Sequence, residues 1–342
     1  MRKVILFVTL SALLCLFFTV GWFLRGSSKQ KESVLSDKTQ VKDTSLAKYS
    51  LDSLITTDFK KGEFKIIKKL SEQENYTKYL FEYNFYPEIS GEQKNTTGQL
   101  NIPTGNLKFP LVFLIRGYVD QKIYTTGVGT SSAADYFAKN GFVTVAPDFL
   151  GYADSSKESA NIFESRFQTY VTVLNLLKDI NSGVLPTETL WNKKDIFIWA
   201  HSNGGQIALT SLAISSLDYP TTLWAPVTKP FPYSVLYYTD ESDDNGKFIR
   251  QQLSDFESNY DVERFSFTNY LERITAPIQL HQGEKDDAVP AEWSKRFINK
   301  LKSIREAETE LFIYPSADHN MRPDWNTAIA RDLEFFKKYL NK

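Results

Sequence analysis

Three residue types at three places in this chain are equipped for nucleophilic catalysis. They are a serine in a glycine turn, aspartates in a polar loop, and a histidine near the end of the chain. Residues 195–206 read DIFIWAHSNGGQ. The apolar run 196–200 stops abruptly at His201, Ser202, Asn203, Gly204 and Gly205, and a helix-compatible run, IALTSLAI, follows. A buried strand, a sharp turn carrying one serine and then a helix is the arrangement that presents a serine hydroxyl as a nucleophile. Small neighbours are needed there for a steric reason. The turn holds the serine at strained backbone angles, and bulky residues two positions away would clash across it. The usual pattern is G-x-S-x-G; here Ala200 stands at the first glycine position and Gly204 at the second.

A serine hydroxyl needs a base to take its proton, and the base needs a third group to orient it. The chain has three histidines, so the candidates are few. His319 lies in the loop SADHNM directly after the strand-like LFIYP, where such a base belongs. His201 adjoins the serine at a sharp turn, where neighbouring side chains point apart. It is expected to pack or to hydrogen-bond near the turn. His281 ends a strand inside LHQGEKDDAVP and is expected to orient that loop. For the acid, Asp286 and Asp287 are adjacent candidates in the same loop. Asp318 ranks last because it is next to His319 in sequence. The order serine, acid, histidine along the chain suits a sheet whose strand ends carry the catalytic loops.

These loops need a scaffold, and the pattern from residue 110 onward supplies one. Residues 111–115 (LVFLI), 142–146 (FVTVA), 196–200, 221–224, 278–281 and 310–314 read as short strands. Residues 131–139, 162–180, 203 to about 217, and 325–339 read as helices between and after them. Continuous apolar strands alternating with helices predict a mostly parallel sheet covered on both faces. Before it, residues 63–70, 76–85 and 97–102 read as three strands forming an antiparallel lead-in. Residues 225–276 break the pattern. They are polar and aromatic, and too long for a simple loop in a compact domain. They are expected to form a cap above the carboxyl ends of the strands, where ligands bind in such sheets.

Taken together, these motifs resemble the α/β-hydrolase superfamily, from about residue 60 to the C-terminus. The closest resemblance is to the catalytic domain of the prolyl oligopeptidase family and to related esterases of the dienelactone and acetyl-xylan type. That resemblance implies an acid in a G-x-x-D-x-x-V-P segment. It is matched here by Gly283, Asp286, Val289 and Pro290, which selects Asp286 over Asp287. The family's elbow, G-x-S-x-G-G, is matched by Ser202, Gly204 and Gly205, with Ala200 departing from it. The segment PDFLGYADS is similar to one that follows the second core strand in the family, with Asp148 and Gly151 structural. A second departure follows the LVFLI strand. Where many relatives carry His-Gly-Gly, this chain has Arg116, Gly117 and Tyr118.

The expected chemistry is acyl transfer through an acyl-serine, with Ser202 as nucleophile, His319 as base and Asp286 as orienting acid. The oxyanion donors are expected to be the backbone N–H of Asn203 and a group from Gly117–Tyr118, either backbone or the Tyr118 hydroxyl. Arg116, Phe149, Tyr152, Trp224, Tyr233 and Tyr237 are the candidate pocket residues, and Arg116 is a candidate partner for a substrate carboxylate. No metal or organic cofactor is implied, since H-E-x-x-H and paired C-x-x-C spacings are absent. The expected substrate is a small ester. A short peptide is the alternative, and a hydrolase-like binding protein without chemistry is a third reading. The resemblance to prolyl oligopeptidases brings in a propeller that restricts access to the site. The roughly 60 residues between the linker and the core sheet cannot hold one, because each blade takes about 40–45 residues.

Composition bounds the rest. The 342 residues are 42% apolar and 24% charged, which is globular, and the net charge of -1 predicts no attraction to nucleic acid. One cysteine, Cys15, excludes an intrachain disulfide. Residues 4–24 form an uncharged stretch long enough to cross a bilayer as a helix, behind the basic head Arg2-Lys3. The domain reading is therefore an anchor over 1–25, a polar linker over 26–50 and a catalytic domain over 51–342. A signal-anchor places that domain outside the cytoplasm; secretion after signal cleavage is the alternative.

Overall fold

The apolar run LVFLI forms the centre of β4 (Phe109–Ile115), and each residue from Leu111 to Ile115 is fully buried. The side chains alternate across the sheet, as the strand period of two requires. Leu111, Phe113 and Ile115 join the core on one face, and Val112 and Leu114 join the core on the other. β6 (Trp191–His201) divides in the same way, with Ile196, Ile198 and Ala200 on one side and Phe197 and Trp199 on the other. The computed structural model describes residues 43–88, 91–239 and 244–340.

One nine-stranded sheet runs in the order β1-β2-β3-β5-β4-β6-β7-β8-β9. The remaining strands are β1 (Glu63–Glu72), β2 (Tyr76–Phe85), β3 (Lys94–Pro103), β5 (Val143–Pro147), β7 (Thr221–Trp224), β8 (Ile278–Gly283) and β9 (Thr309–Tyr314). β1, β2 and β3 pair antiparallel and join β5 antiparallel; from β5 to β9 every pairing is parallel. The expected antiparallel lead-in and parallel core are both present, and the fold is an α/β-hydrolase fold. The carboxyl ends of β4, β6, β8 and β9 therefore point the same way, which is what lets loops distant in sequence meet.

Helices cover both faces. α3 (Ile162–Asn181) and α4 (Asn203–Ser215) pack on one, through Phe167, Val171 and Leu174 of the first and Ile207 and Leu212 of the second. α2 (Ser131–Lys139) and α8 (Trp325–Tyr339) pack on the other, through Phe137 and through Ile329 and Phe336. α1 (Leu51–Ile55) precedes the sheet, and α7 (Ala291–Ile304) connects β8 to β9. Within residues 225–276 lie α5 (Tyr233–Tyr237) and α6 (Lys247–Asn259), followed by three short 3-10 turns. This segment is pinned to the main body by aromatic packing. Phe231 and Phe256 meet both Phe163 and Phe167 of α3 at centroid distances of 4.9–6.0 Å.

Two of the boundaries that differ from the sequence reading are informative. β6 begins at Trp191 rather than at residue 196, because the polar NKKD segment continues the strand toward solvent. The ordered body also starts ahead of residue 51. Leu46 and Tyr49 are buried in the core, so the last few residues assigned to the linker belong to the domain. The expected membrane helix, residues 4–24, lies outside the described residues. Among the described residues no helix is long and apolar enough to cross a membrane.

Candidate active site

Ser202 sits between the end of β6 and the first turn of α4 at φ 55° and ψ -123°, a conformation that costs a non-glycine residue energy. Neighbours hold it there. Its N–H donates to the Trp224 carbonyl at 2.8 Å, and its carbonyl accepts from Val227 N–H at 3.0 Å and Gly205 N–H at 2.9 Å. The glycines are required by close approach. A Cβ on Gly204 would lie 2.3 Å from the Ile115 carbonyl oxygen, so only glycine lets α4 start against the end of β4. A Cβ on Gly117 would lie 2.9 Å from Ser202 Cβ, so the loop after β4 runs directly against the serine. Ala200 replaces the first glycine without conflict, because it is an ordinary buried strand residue paired with Leu223 and Ile115.

The loop after β8 brings in Asp286, whose side chain is fully buried, and the loop after β9 brings in His319. His319 Nδ1 lies 2.9 Å and 3.0 Å from the two Asp286 carboxylate oxygens. Asp286 Oδ1 also accepts from the N–H groups of Ala288 at 2.9 Å and Val289 at 2.8 Å, and Oδ2 accepts from Gln282 Nε2 at 2.9 Å. Burial works against the charge of this carboxylate. The hydrogen bonds from His319, Val289 and Gln282 outweigh it and hold the group below the usual carboxylate range. A bonded carboxylate on Nδ1 fixes the imidazole tautomer and leaves Nε2 as the atom that can take a proton. Among the described residues no hydrogen bond joins His319 to the Ser202 hydroxyl; such bonds commonly tighten only with substrate present.

The rejected acids take other positions. Asp287 is exposed. Asp318 accepts from Asn320 N–H and Arg322 N–H, both at 2.9 Å, and so shapes the turn that carries His319. His201 hydrogen-bonds as expected: its Nε2 is 3.0 Å from the His319 carbonyl oxygen, and the two rings are 4.7 Å apart. Desolvation, reinforced by repulsion from His319, pushes its pKa down to about 4, so the ring is neutral and donates from Nε2.

The reading of His281 is corrected. Its fully buried ring does not reach the loop after β8. Nδ1 lies 2.7 Å from the Tyr314 hydroxyl and Nε2 lies 2.9 Å from Asp332, which ties β8 to β9 and α8. Gln282, the next residue, orients that loop, and the sequence reading missed it. Besides Asp286, its Nε2 donates to the Val289 carbonyl at 3.2 Å, and its Oε1 accepts from Ser294 Oγ at 2.7 Å. The available signal was a polar side chain at the end of an apolar strand, one residue before the loop glycine.

Several pocket candidates are also relocated. Arg116 is 4% exposed and does not offer its guanidinium to a substrate carboxylate. Its two terminal nitrogens donate to the carbonyls of Asp148 at 2.8 Å and Gly117 at 3.0 Å, and its guanidinium lies over Tyr152 at 3.8 Å and Tyr124 at 4.6 Å. Phe149 is buried beside it, and Tyr152 donates to the Val119 carbonyl, so all three hold the loop after β4 in shape. Asp148 is structural, accepting from Thr97, Tyr124 and Thr126. The Tyr118 ring is 77% exposed and, among the described residues, its hydroxyl has no hydrogen bond, which leaves the backbone of Gly117–Tyr118 as the group near Ser202. Asn203 opens α4, so its backbone N–H has no acceptor within the helix. Trp224 is buried, with its indole N–H bonded to Asp332 at 2.7 Å. With Trp199, His201 and Trp325 it lines a cleft of about 380 Å³ to which Ser202 does not contribute. Tyr233 and Tyr237 are each 45% exposed on the 225–276 segment.

Comparison with known proteins accords with this fold. No curated protein sequence matches the chain. Among solved structures, it is similar to an acetyl xylan esterase from Paenibacillus sp. R4, with a TM-score of 0.61 at 16% identity, covering 85% of this chain and 92% of that one. It is also similar to acetyl xylan esterase 1 from Thermoanaerobacterium sp. JW/SL YS485, with a TM-score of 0.54 at 15% identity, covering 85% and 93%. The acylaminoacyl peptidase of Pyrococcus horikoshii has a TM-score of 0.54 at 16% identity, covering 83% of this chain but 51% of that one. At such identities these likenesses establish the fold. The family assignment comes from the sequence model of the prolyl oligopeptidase family, which matches residues 129–342, the stretch that holds β5 to β9, Ser202, Asp286 and His319. The chain therefore belongs to the prolyl oligopeptidase family of serine hydrolases.

Proposed function

We propose that the chain hydrolyses carboxylic esters through an acyl-enzyme formed on Ser202. The observation that carries this reading is the His319–Asp286 pair at 2.9–3.0 Å, on two strand-end loops beside a serine held at a strained elbow. His319 Nε2 takes the Ser202 proton as Oγ attacks the carbonyl, then returns it to the leaving alcohol. A water activated by the same imidazole releases the acid. Asn203 N–H and the backbone of Gly117–Tyr118 receive the oxyanion.

The choice of ester over peptide is supported by the coverage of the solved structures the chain resembles. The similarity to two acetyl xylan esterases spans nearly all of each, whereas the similarity to the acylaminoacyl peptidase stops at 51% of it. The test is labelling with a fluorophosphonate, followed by turnover of matched esters and aminoacyl anilides, in wild type and Ser202→Ala. Labelling and ester turnover that vanish in the variant are expected. Turnover of anilides with no turnover of esters would reverse the assignment.

We further infer that residues 4–24 tether this domain to a membrane on its extracytoplasmic side, with residues 225–276 as a cap on the site. The tether rests on the uncharged run and its basic head alone. Recovery of the full-length chain in the soluble fraction, with residues 4–24 intact, would refute it.

A further inference from the structure

Arg166 stands on α3 beside the first turn of α4, the turn that follows the nucleophile. A partly buried guanidinium ordinarily meets a carboxylate. This one meets amide oxygens. Its Nη2 donates to Gln206 Oε1 and reaches Asn203 Oδ1 at 3.4 Å, and Phe231 lies 5.8 Å from its centre. Its Nε is enclosed without a partner. Among the described residues no acid pairs with it. The acids nearest in sequence are committed elsewhere: Glu158 accepts from Ser165 and Gln121, and Glu164 accepts from Ser159 and Tyr49.

The same glutamine holds the backbone of a second cationic residue. Gln206 is 1% exposed, and its Nε2 donates to the Lys229 carbonyl at 2.8 Å. The Lys229 ammonium lies 5.5 Å from the Tyr237 ring and 5.3 Å from the Trp293 ring, again with no acid paired to it among the described residues. One buried glutamine thus holds the Arg166 guanidinium through its oxygen and the Lys229 backbone through its amide nitrogen, and neutralises neither side chain. The positive end of α4 adds to them at Asn203. Among the described residues neither cation is paired with an acid, and aromatic rings border both.

We propose that Arg166 and Lys229 form an anion-recognition subsite, and that the preferred substrates are esters carrying a carboxylate close to the scissile carbonyl. The inference rests on the serine hydrolase reading above and names the substrate class within it. A bound carboxylate supplies the charge that the protein withholds. Arg166 contributes a direct hydrogen bond or a point charge, while Lys229 steers the group along the aromatic border. Because Arg166 also touches Asn203, its charge reaches the oxyanion donor's own residue.

The test compares selectivity ratios in the full-length chain. Mono-para-nitrophenyl glutarate is measured against para-nitrophenyl butyrate, which places the carboxylate on the acyl side. Para-acetoxybenzoate is measured against its methyl ester, which places it on the alcohol side. Wild type is expected to favour the anionic ester of at least one pair by about tenfold in kcat/KM, with the preference shrinking as ionic strength rises. Arg166→Gln is expected to remove most of that preference and Lys229→Gln part of it, while Arg166→Lys keeps its direction and covers the case in which the glutamine variant does not fold. Equal or faster turnover of the neutral esters by wild type, or wild-type ratios in both glutamine variants, overturns the inference and leaves the hydrolase reading standing. Absence of fluorophosphonate labelling, with no turnover of any ester, overturns both.

Discussion

The residue before the proposed nucleophile holds the loop of the proposed base: His201 Nε2 donates to the backbone carbonyl of His319 at 3.0 Å. Ser202 and His319 lie 117 positions apart in the sequence, and this single bond links their two loops. Neutral His201 can make it; a protonated His201 would crowd a second imidazole 4.7 Å away.

This predicts a pH-dependent stability term. The folded pKa of His201 is about 4, below its ordinary value near 6.5, so between those values the unfolded state binds the extra proton. The contribution is complete above about pH 6.5 and is lost as pH falls toward 4. The stability contributed by Asp286 is lost from its ordinary carboxylate pKa downward, at the acid end of and below this window, and is common to both proteins compared. Urea midpoints measured from pH 7 to 4 should fall more steeply for wild type than for His201→Gln. Parallel curves would refute the assignment.

The acid is distinguished from its neighbour by one pair of substitutions. Asp286→Asn leaves the shape but removes the charge that fixes and stabilises the imidazole, and kcat should fall about 10⁴-fold. Asp287→Asn, at an exposed position, should stay within about twofold, as surface substitutions do. Steady-state ester kinetics check both, and a large loss in the second variant would move the acid by one residue.

Gly117→Ala should disable catalysis without unfolding the sheet. The new methyl would lie 2.9 Å from Ser202 Cβ, so either the serine or the loop after β4 must move. A displacement of this kind costs about 10²-fold in rate. Kinetics beside a thermal melt separate this from global damage, and wild-type kcat/KM would show that the loop does not face the reacting atoms.

Gln282→Ala removes four hydrogen-bond functions from one buried position, toward Gly283, Asp286, Val289 and Ser294. Leaving buried partners unsatisfied costs about 1–3 kcal/mol, and the orientation of Asp286 should suffer with it. The expected result is a lower urea midpoint together with a reduced kcat. A variant with wild-type stability and reduced kcat alone would place Gln282 in positioning only.

The elements that carry the site were legible because local physics dictates them. The LVFLI and IFIWA runs declare buried strands by continuity, the HSNGG turn declares an elbow by its small residues, and both lie where the chain pattern predicts them. Ser202 and His319 could be named as candidates because each sits at the end of a strand that identifies itself; the same reasoning left Asp286 and Asp287 level, and the family resemblance separated them. Side-chain direction was not legible. Arg116, Phe149, Tyr152 and Trp224 lie next to strand ends and read as pocket walls, yet the fold turns them into a buried stack and a core hydrogen bond. His281 and Gln282 are neighbours on β8, and strand alternation sends one toward β9 and the other toward the Asp286 loop. That choice depends on which face each strand position occupies once the sheet has closed. The meeting of Arg166, Gln206 and Lys229 depends on how α3, α4 and the 225–276 segment pack together. Residue type and spacing determine the candidate catalytic inventory, with the choice of Asp286 over Asp287 resting on the family resemblance; tertiary packing decides which polar groups line the candidate site and which hold the frame, because contacts between distant segments have no period in the sequence.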